Sequence, residues 1–157
     1  GDWSSDVCSS DLHFIVGYFD TFIVDTSINI VMEYCQHGDL CSYIKKQNGK
    51  SFVENFIWKV FIHICLGIHY LHSHNIIHRD LKSLNIFLTK DNSAKIGDLG
   101  AARRLDSQGN IIEEVSEIPH KVGTPFYLAP ELWKDSPCSK KSDIWALGVI
   151  LYEMCAL

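Results

Sequence analysis

The 157-residue chain is 46% apolar and 21% charged, which gives room for one globular domain and excludes disorder, collagen and coiled coil. Its formal charge is −5 and no basic block occurs, so nucleic-acid binding driven by phosphate attraction is not expected. The six cysteines (Cys8, Cys35, Cys41, Cys65, Cys138 and Cys155) form no C-x-x-C pair, which argues against a zinc ribbon or disulfide framework and fits a reducing compartment.

Residues 1–12 (GDWSSDVCSSDL) carry neither a helical nor a strand period. The string resembles one reading frame of a common sequencing adapter, down to Leu12, and is set aside like a fusion scar. Without Asp2, Asp6 and Asp11 the charge moves from −5 to −2. On this reading the protein was cut near His13 and its upstream residues are missing.

Phe14 to Phe22 and Asn29 to Glu33 are predicted strands of an antiparallel hairpin, with Asp25-Thr26-Ser27 as the turn. Gly38-Asp39 ends the extended run, and Asp39 is the expected N-cap of a short helix through Ile44. Ser51-Phe52-Val53-Glu54 reads as a capping box. Behind it Val53, Ile57, Val60, Ile64, Ile68 and Leu71 mark one apolar face of a helix ending near Ser73. Val60 to His78 holds no Lys, Arg, Asp or Glu over 19 residues, long enough for a membrane span. Five histidines and Asn75 in that stretch make a buried amphipathic helix the better reading, with no membrane partner.

Ile76-Ile77 and Ile86-Phe87-Leu88 are short strand candidates. Lys90 to Ser93 is a turn, and Ala94-Lys95-Ile96 returns as a hairpin partner. Gly97 to Pro137 is mostly loop, and a loop that long in a compact domain is usually functional. Ser142 or Asp143 is expected to cap a final helix, Ile144 to Leu157. His63, His69, His72 and His74 read as structural histidines rather than metal ligands, and Cys35 and Cys41 as structural thiols. Glu113-Glu114 and Lys140-Lys141 read as solvated charge.

The chemistry concentrates in His78-Arg79-Asp80-Leu81-Lys82-Ser83-Leu84-Asn85. Asp98-Leu99-Gly100 follows thirteen residues later, then Gly123-Thr124-Pro125 and Ala129-Pro130-Glu131. One loop thus holds a carboxylate, an ammonium and an amide, with a second carboxylate beyond a hairpin. Phosphoryl transfer needs that set. A carboxylate accepts the hydroxyl proton, a cation steadies the phosphoryl oxygens, and hard oxygens hold Mg²⁺.

H-R-D-x-K-x-x-N, D-L-G and A-P-E, in order and at these separations, resemble the eukaryotic protein kinase set over residues 13–157. The resemblance implies an α+β, protein-kinase-like fold, truncated to a remnant of the N-lobe sheet plus the first part of the helical C-lobe. It implies Asp80 as catalytic base, Lys82 on the γ-phosphate, and Asn85 and Asp98 on Mg²⁺. Arg79 would pair with a phosphorylated activation-loop residue. Met32 would be the gatekeeper and Glu33-Tyr34-Cys35 the adenine-reading hinge, with Asp39 at the ribose and Phe87 also lining the nucleotide site. His78, Leu99 and Tyr18 would form an apolar column between lobes, and Asp143 would hold the backbone of the catalytic loop. ATP, Mg²⁺ and a protein substrate with Ser or Thr are the implied ligands. The implied address is intracellular and cytoplasmic, with cytoskeletal association by family resemblance.

VMEYCQHGDL, HRDLKSLNIFLT, KIGDLGAAR, VGTPFYLAPEL and KSDIWALGVILYEM resemble the NIMA-related kinases, of Ser/Thr type. Leu99 stands where Phe is commoner and fills the same apolar column. His120 stands where those kinases often place a phosphorylatable Thr or Ser, leaving Ser116, Ser107 or Thr124 to serve. No Gly-rich loop, strand lysine or partner glutamate is present in the chain, so as written it is expected to be inactive. The rival from another class is a pseudokinase or scaffold that binds partners without transferring phosphate. A P-loop protein is excluded because no GxxxxGK[ST] occurs.

Overall fold

Twenty residues from Glu54 to Ser73 form α2, the longest element of a computed structural model that describes residues 13–112, 123–134 and 136–156. The predicted apolar stripe is the reason it sits where it does. Val60, Ile64, Ile68 and Leu71 are at most 2% exposed, and each such side chain contributes about 1.5–3 kcal/mol by leaving water. Gly67 lies on the same face, where an added Cβ would sit 2.8 Å from Ile96 Cδ1 and 2.9 Å from the Phe14 carbonyl. The missing side chain lets helix and strand approach.

The start of α2 differs from the expected capping box. Its N-cap is Val53, with extended backbone and no side-chain cap bond. Two contacts replace the box. Phe52 packs on Phe56 with ring centroids 4.7 Å apart and on Tyr43 at 5.9 Å, fixing the angle of entry. Glu54 accepts from Trp58 Nε1 at 3.0 Å instead of reaching backwards. Val53, assigned by its period to the buried face, is exposed.

The first predicted strand divides at Gly17. Residues 14–16 run parallel beside Ile96 instead, with Val16 N donating to Ile96 O and Ile96 N to Phe14 O, both at 2.8 Å. The strand proper, β1, is Tyr18–Val24 and pairs antiparallel with β2, Ser27–Met32. This ribbon is exposed on both faces, and Phe19, Ile23, Ile28, Ile30 and Met32 all lie open to solvent. The richness in β-branched and aromatic residues does mark two strands here, although nothing among the described residues covers them.

After the ribbon come β3 (Gly38–Asp39) and α1 (Leu40–Lys45). Asp39 caps α1 as predicted, accepting from Ser42 N at 2.7 Å and Ser42 Oγ at 2.8 Å. β4 (Ile76–Ile77), β5 (Ile86–Leu88), β6 (Ala94–Ile96) and β7 (Arg103–Arg104) complete the strands. One sheet runs β3-β5-β6, all antiparallel, and β4 pairs with β7. The main core lies between this sheet, α1, α2 and the last helix, with Leu40, Ile86, Leu88 and Ile96 fully buried.

That last helix, α3, spans Lys140–Cys155 and begins four residues before the predicted Ile144. Ser139 is the N-cap. Its Oγ accepts from Lys141 N at 3.3 Å, and Ser142 Oγ accepts from the Ser139 N–H at 3.2 Å. The reciprocal pair absorbs Lys140-Lys141 into the first turn and places Asp143 inside the helix rather than at its cap. Among the described residues no helix is long and apolar enough to cross a membrane.

Candidate active site

The stretch between β4 and β5 carries Asp80, Lys82 and Asn85, and it is held from below by one carboxylate. Asp143, 2% exposed on α3, accepts from the backbone N–H of His78 at 2.9 Å and of Arg79 at 3.0 Å. His72, from the last turn of α2, places Nε2 2.8 Å from the same carboxylate. Arg79 adopts a left-handed φ of 71°, which costs free energy in a residue with a Cβ and persists because these bonds enforce it.

His78 is fully buried and bridges in two directions. Its Nε2 lies 3.1 Å from Gly97 O, and its Nδ1 accepts from Asp80 N at 3.3 Å. Those partners require the proton on Nε2 and a lone pair on Nδ1. Gly97 also donates its own N–H to Asn85 O at 2.9 Å. Both backbone groups of Gly97 are thus bonded to the loop, and Asp98 is the next residue. A Cβ on Gly97 would lie 2.6 Å from the Phe87 ring, so only glycine lets the chain pass there. Asp98 is exposed and left-handed, with φ 55° and ψ 71°, and its Oδ1 accepts from Gly100 N at 3.3 Å.

On the open side of the loop, Lys82 Nζ donates to Asp80 Oδ2 at 2.6 Å and to Thr124 Oγ1 at 3.0 Å. Thr124 donates in turn to Asp80 Oδ1 at 3.3 Å. Asn85 Nδ2 donates to the Asp80 carbonyl at 2.9 Å and to its Oδ2 at 3.3 Å. Asp80, Lys82, Asn85 and Thr124 therefore form one hydrogen-bonded group, and Asp98 joins it through the doubly tethered Gly97.

The remaining sequence-predicted residues lie along β2, the following segment and the β3–β5 pair. Met32 ends β2 and is half exposed; Tyr34 is more exposed still, and Cys35 is buried. Glu33 accepts from Gly17 N at 3.1 Å and pairs with Lys95 Nζ at 3.0 Å. Asp39 lies opposite Phe87 in the β3–β5 ladder, but both of its carboxylate oxygens serve Ser42. Tyr18 donates to Thr21 Oγ1 at 2.7 Å, and Leu99 packs against the main core. Arg79 is buried. Burial lowers its guanidinium pKa; Cys138 opposes that shift, nearby Arg103 adds to it and Asp143 opposes it. Ser116 and His120 lie outside the described residues.

Three participants carried no signal at the level of sequence pattern. His72 read as a structural histidine, yet it orients the carboxylate that holds the loop. Tyr127 and Glu153 read as ordinary members of a loop and a helix, yet Tyr127 OH donates to Glu153 Oε1 at 2.8 Å. Burial, reinforced by Glu153, pushes the Tyr127 hydroxyl up to about 12. Because this folded-state value exceeds the ordinary 10.0, the stabilisation is fully present below pH 10 and is lost as pH rises from 10 to about 12. Denaturant midpoints measured across that interval should fall less steeply in Tyr127→Phe than in the parent; equal slopes would contradict the assignment.

A family model described as protein kinase domain matches residues 7–157. Serine/threonine-protein kinase Nek3 of Mus musculus is 47% identical over 143 residues, covering 91% of this chain and 27% of that protein. Serine/threonine-protein kinase Nek1 of Mus musculus is 46% identical over 143 residues, covering 91% of this chain and 11% of that protein. Serine/threonine-protein kinase Nek5 of Homo sapiens is 42% identical over 144 residues, covering 91% and 20%. These relatives are NIMA-related kinases, and the chain spans between 11% and 27% of their length.

Proposed function

The chain belongs to the protein kinase domain family, and from that premise we propose that the protein carrying it transfers the γ-phosphoryl group of ATP to Ser or Thr hydroxyls of a protein substrate. The observation that carries this reading is Lys82 Nζ, which spans the Asp80 carboxylate and the Thr124 hydroxyl while Asn85 donates to Asp80 from the other side. Asp80 takes the proton of the acceptor hydroxyl. The acceptor oxygen forms its bond to the γ-phosphorus as the bond to the β,γ-bridging oxygen breaks, and ADP leaves. Lys82 faces the charge on the transferred oxygens, and Thr124 fixes Lys82 and Asp80 against each other.

Asn85 and Asp98 fit a hard divalent cation. Both Asn85 side-chain bonds use Nδ2, which directs Oδ1 away from Asp80, and the Asp98 carboxylate is solvent-facing with Oδ1 on one backbone N–H. Mg²⁺ takes one or two protein oxygens plus waters and phosphate, so a cluster of three acidic or imidazole ligands is not required. When bound, the ion neutralises phosphate charge. Phe87, opposite Asp39 and against Gly97, is proposed to line the nucleotide site together with Met32 and the Glu33-Tyr34-Cys35 segment. Arg79, with Arg103 beside it, is the proposed partner of a phosphate on Ser116 or Thr124.

Residues 13–157 are read as part of a kinase domain and 1–12 as adapter-derived. The 157-residue chain alone is proposed to be inactive, since it contains no Gly-rich loop or strand lysine.

The test uses a complete kinase domain that includes residues 13–156, given γ-labelled ATP, Mg²⁺ and a general protein acceptor. Label is expected on serine and threonine. Asp98→Ala is expected to cut the rate by roughly 100-fold or more and to raise the Mg²⁺ concentration needed. Absence of transfer from a folded domain would favour the scaffold reading and overturn this one.

A further inference from the structure

Ser83 sits between two residues of the reaction loop, Lys82 and Asn85, and is fully buried. A buried hydroxyl is costly unless it is bonded. Its Oγ lies 3.0 Å from Tyr127 OH and donates to Glu153 Oε1 at 3.4 Å. Tyr127 OH donates to that same oxygen at 2.8 Å. Glu153 belongs to the last turn of α3, and its second oxygen is enclosed without a hydrogen-bond partner among the described residues. The carboxylate therefore depends on these two hydroxyls.

The connection spans three elements. Tyr127 closes the 3-10 turn Pro125–Tyr127, and its N–H donates to the Thr124 carbonyl at 2.9 Å. Thr124 is the residue that meets Lys82 and Asp80. One carboxylate oxygen on α3 thus ties the Ser83 side chain of the phosphoryl-transfer loop to the segment that presents Thr124. The Met32–Cys35 segment and Phe87 take no part in it. A spacing error here would displace the acceptor side of the site while leaving the nucleotide side in place.

We propose that Ser83, Tyr127 and Glu153 form a strut that sets the spacing between the phosphoryl-transfer loop and the Thr124 segment, so that Ser83 and Tyr127 are positioning residues for the acceptor protein rather than for ATP. The proposal rests on the phosphoryl-transfer reading above. A structural filler at position 83 would tolerate loss of the hydroxyl with no selective kinetic effect; a strut would not.

The experiment measures kcat, KM for an acceptor peptide and KM for ATP in a complete kinase domain and in Ser83→Ala, Tyr127→Phe and the double variant. Each single variant is expected to lower kcat/KM for the acceptor by roughly tenfold to a hundredfold, with ATP KM within about twofold. The double variant is expected to be no worse than the poorer single one, because both break the same linkage. Tyr127→Phe keeps the ring and its packing, and thermal unfolding of every variant separates misfolding from mispositioning. Unchanged acceptor kinetics, losses shared equally by ATP and acceptor, or losses that multiply in the double variant would overturn the strut while wild-type activity still upheld phosphoryl transfer. An inactive but folded wild type would instead remove the reading on which the strut depends.

Discussion

Asp80→Asn in a complete kinase domain is expected to lower kcat by about 10²- to 10⁴-fold with little change in ATP KM. The substitution keeps shape and removes the carboxylate proposed to take the proton of the acceptor hydroxyl. It also disturbs Lys82. The Asp80 carboxylate accepts from Lys82 Nζ at 2.6 Å and from Asn85 Nδ2 at 3.3 Å through the same oxygen. An amide that turned its NH₂ to that side would oppose two donors, and one that turned its oxygen there would present no charge to the ammonium. Steady-state kinetics with parallel melting curves separate the effects. A folded variant that turns over within tenfold of the parent would show that Asp80 is not the base.

Asp143→Ala is expected to destabilise the folded state by about 3–5 kcal/mol, the usual cost of removing one partner from a buried charged cluster. Three groups lose their acceptor together: the backbone N–H of His78, the backbone N–H of Arg79 and the imidazole of His72. The left-handed Arg79 then loses the backbone bond that helps hold its strained φ. For a domain of this size the melting temperature should fall by roughly 10 °C. Asp143→Asn retains one acceptor oxygen and should lose less, about 1–3 kcal/mol. Denaturant titrations of the two variants decide the matter; if Asp143→Ala melted within about 2 °C of the parent, the anchor would be a minor contact.

What the amino-acid pattern revealed was what is local. The period of Val60, Ile64, Ile68 and Leu71 located α2 because a helix buries a stripe at that spacing. The Lys90–Ser93 turn located the β5–β6 hairpin for a similarly short-range reason. The cap of α2 was misread because Glu54 prefers the nearby indole of Trp58 and Phe52 prefers neighbouring rings, choices made by packing rather than by the S-x-x-E spacing. The first strand was drawn too early because β propensity does not say which partner a strand will take, and residues 14–16 take β6. Asp80, Lys82 and Asn85 were legible because they share eight consecutive residues with a known arrangement. The Ser83 hydroxyl and the His72 imidazole that brace them were not: Ser83 meets Glu153 across 70 residues and His72 meets Asp143 across 71. No period or spacing rule reaches that far.

The β1–β2 ribbon governs how the polypeptide will behave in the laboratory. It pairs only with itself among the described residues, so each strand leaves one hydrogen-bonding edge unpaired, beside aliphatic and aromatic side chains. Two strands on their own are marginal in water, and such edges template further strands. Expressed by itself, the chain is therefore most vulnerable to concentration-driven self-assembly at residues 18–32. Solubility tags, dilute handling or charged substitutions at the exposed Phe19, Ile23 and Ile28, with Met32 left as it is, are the remedies.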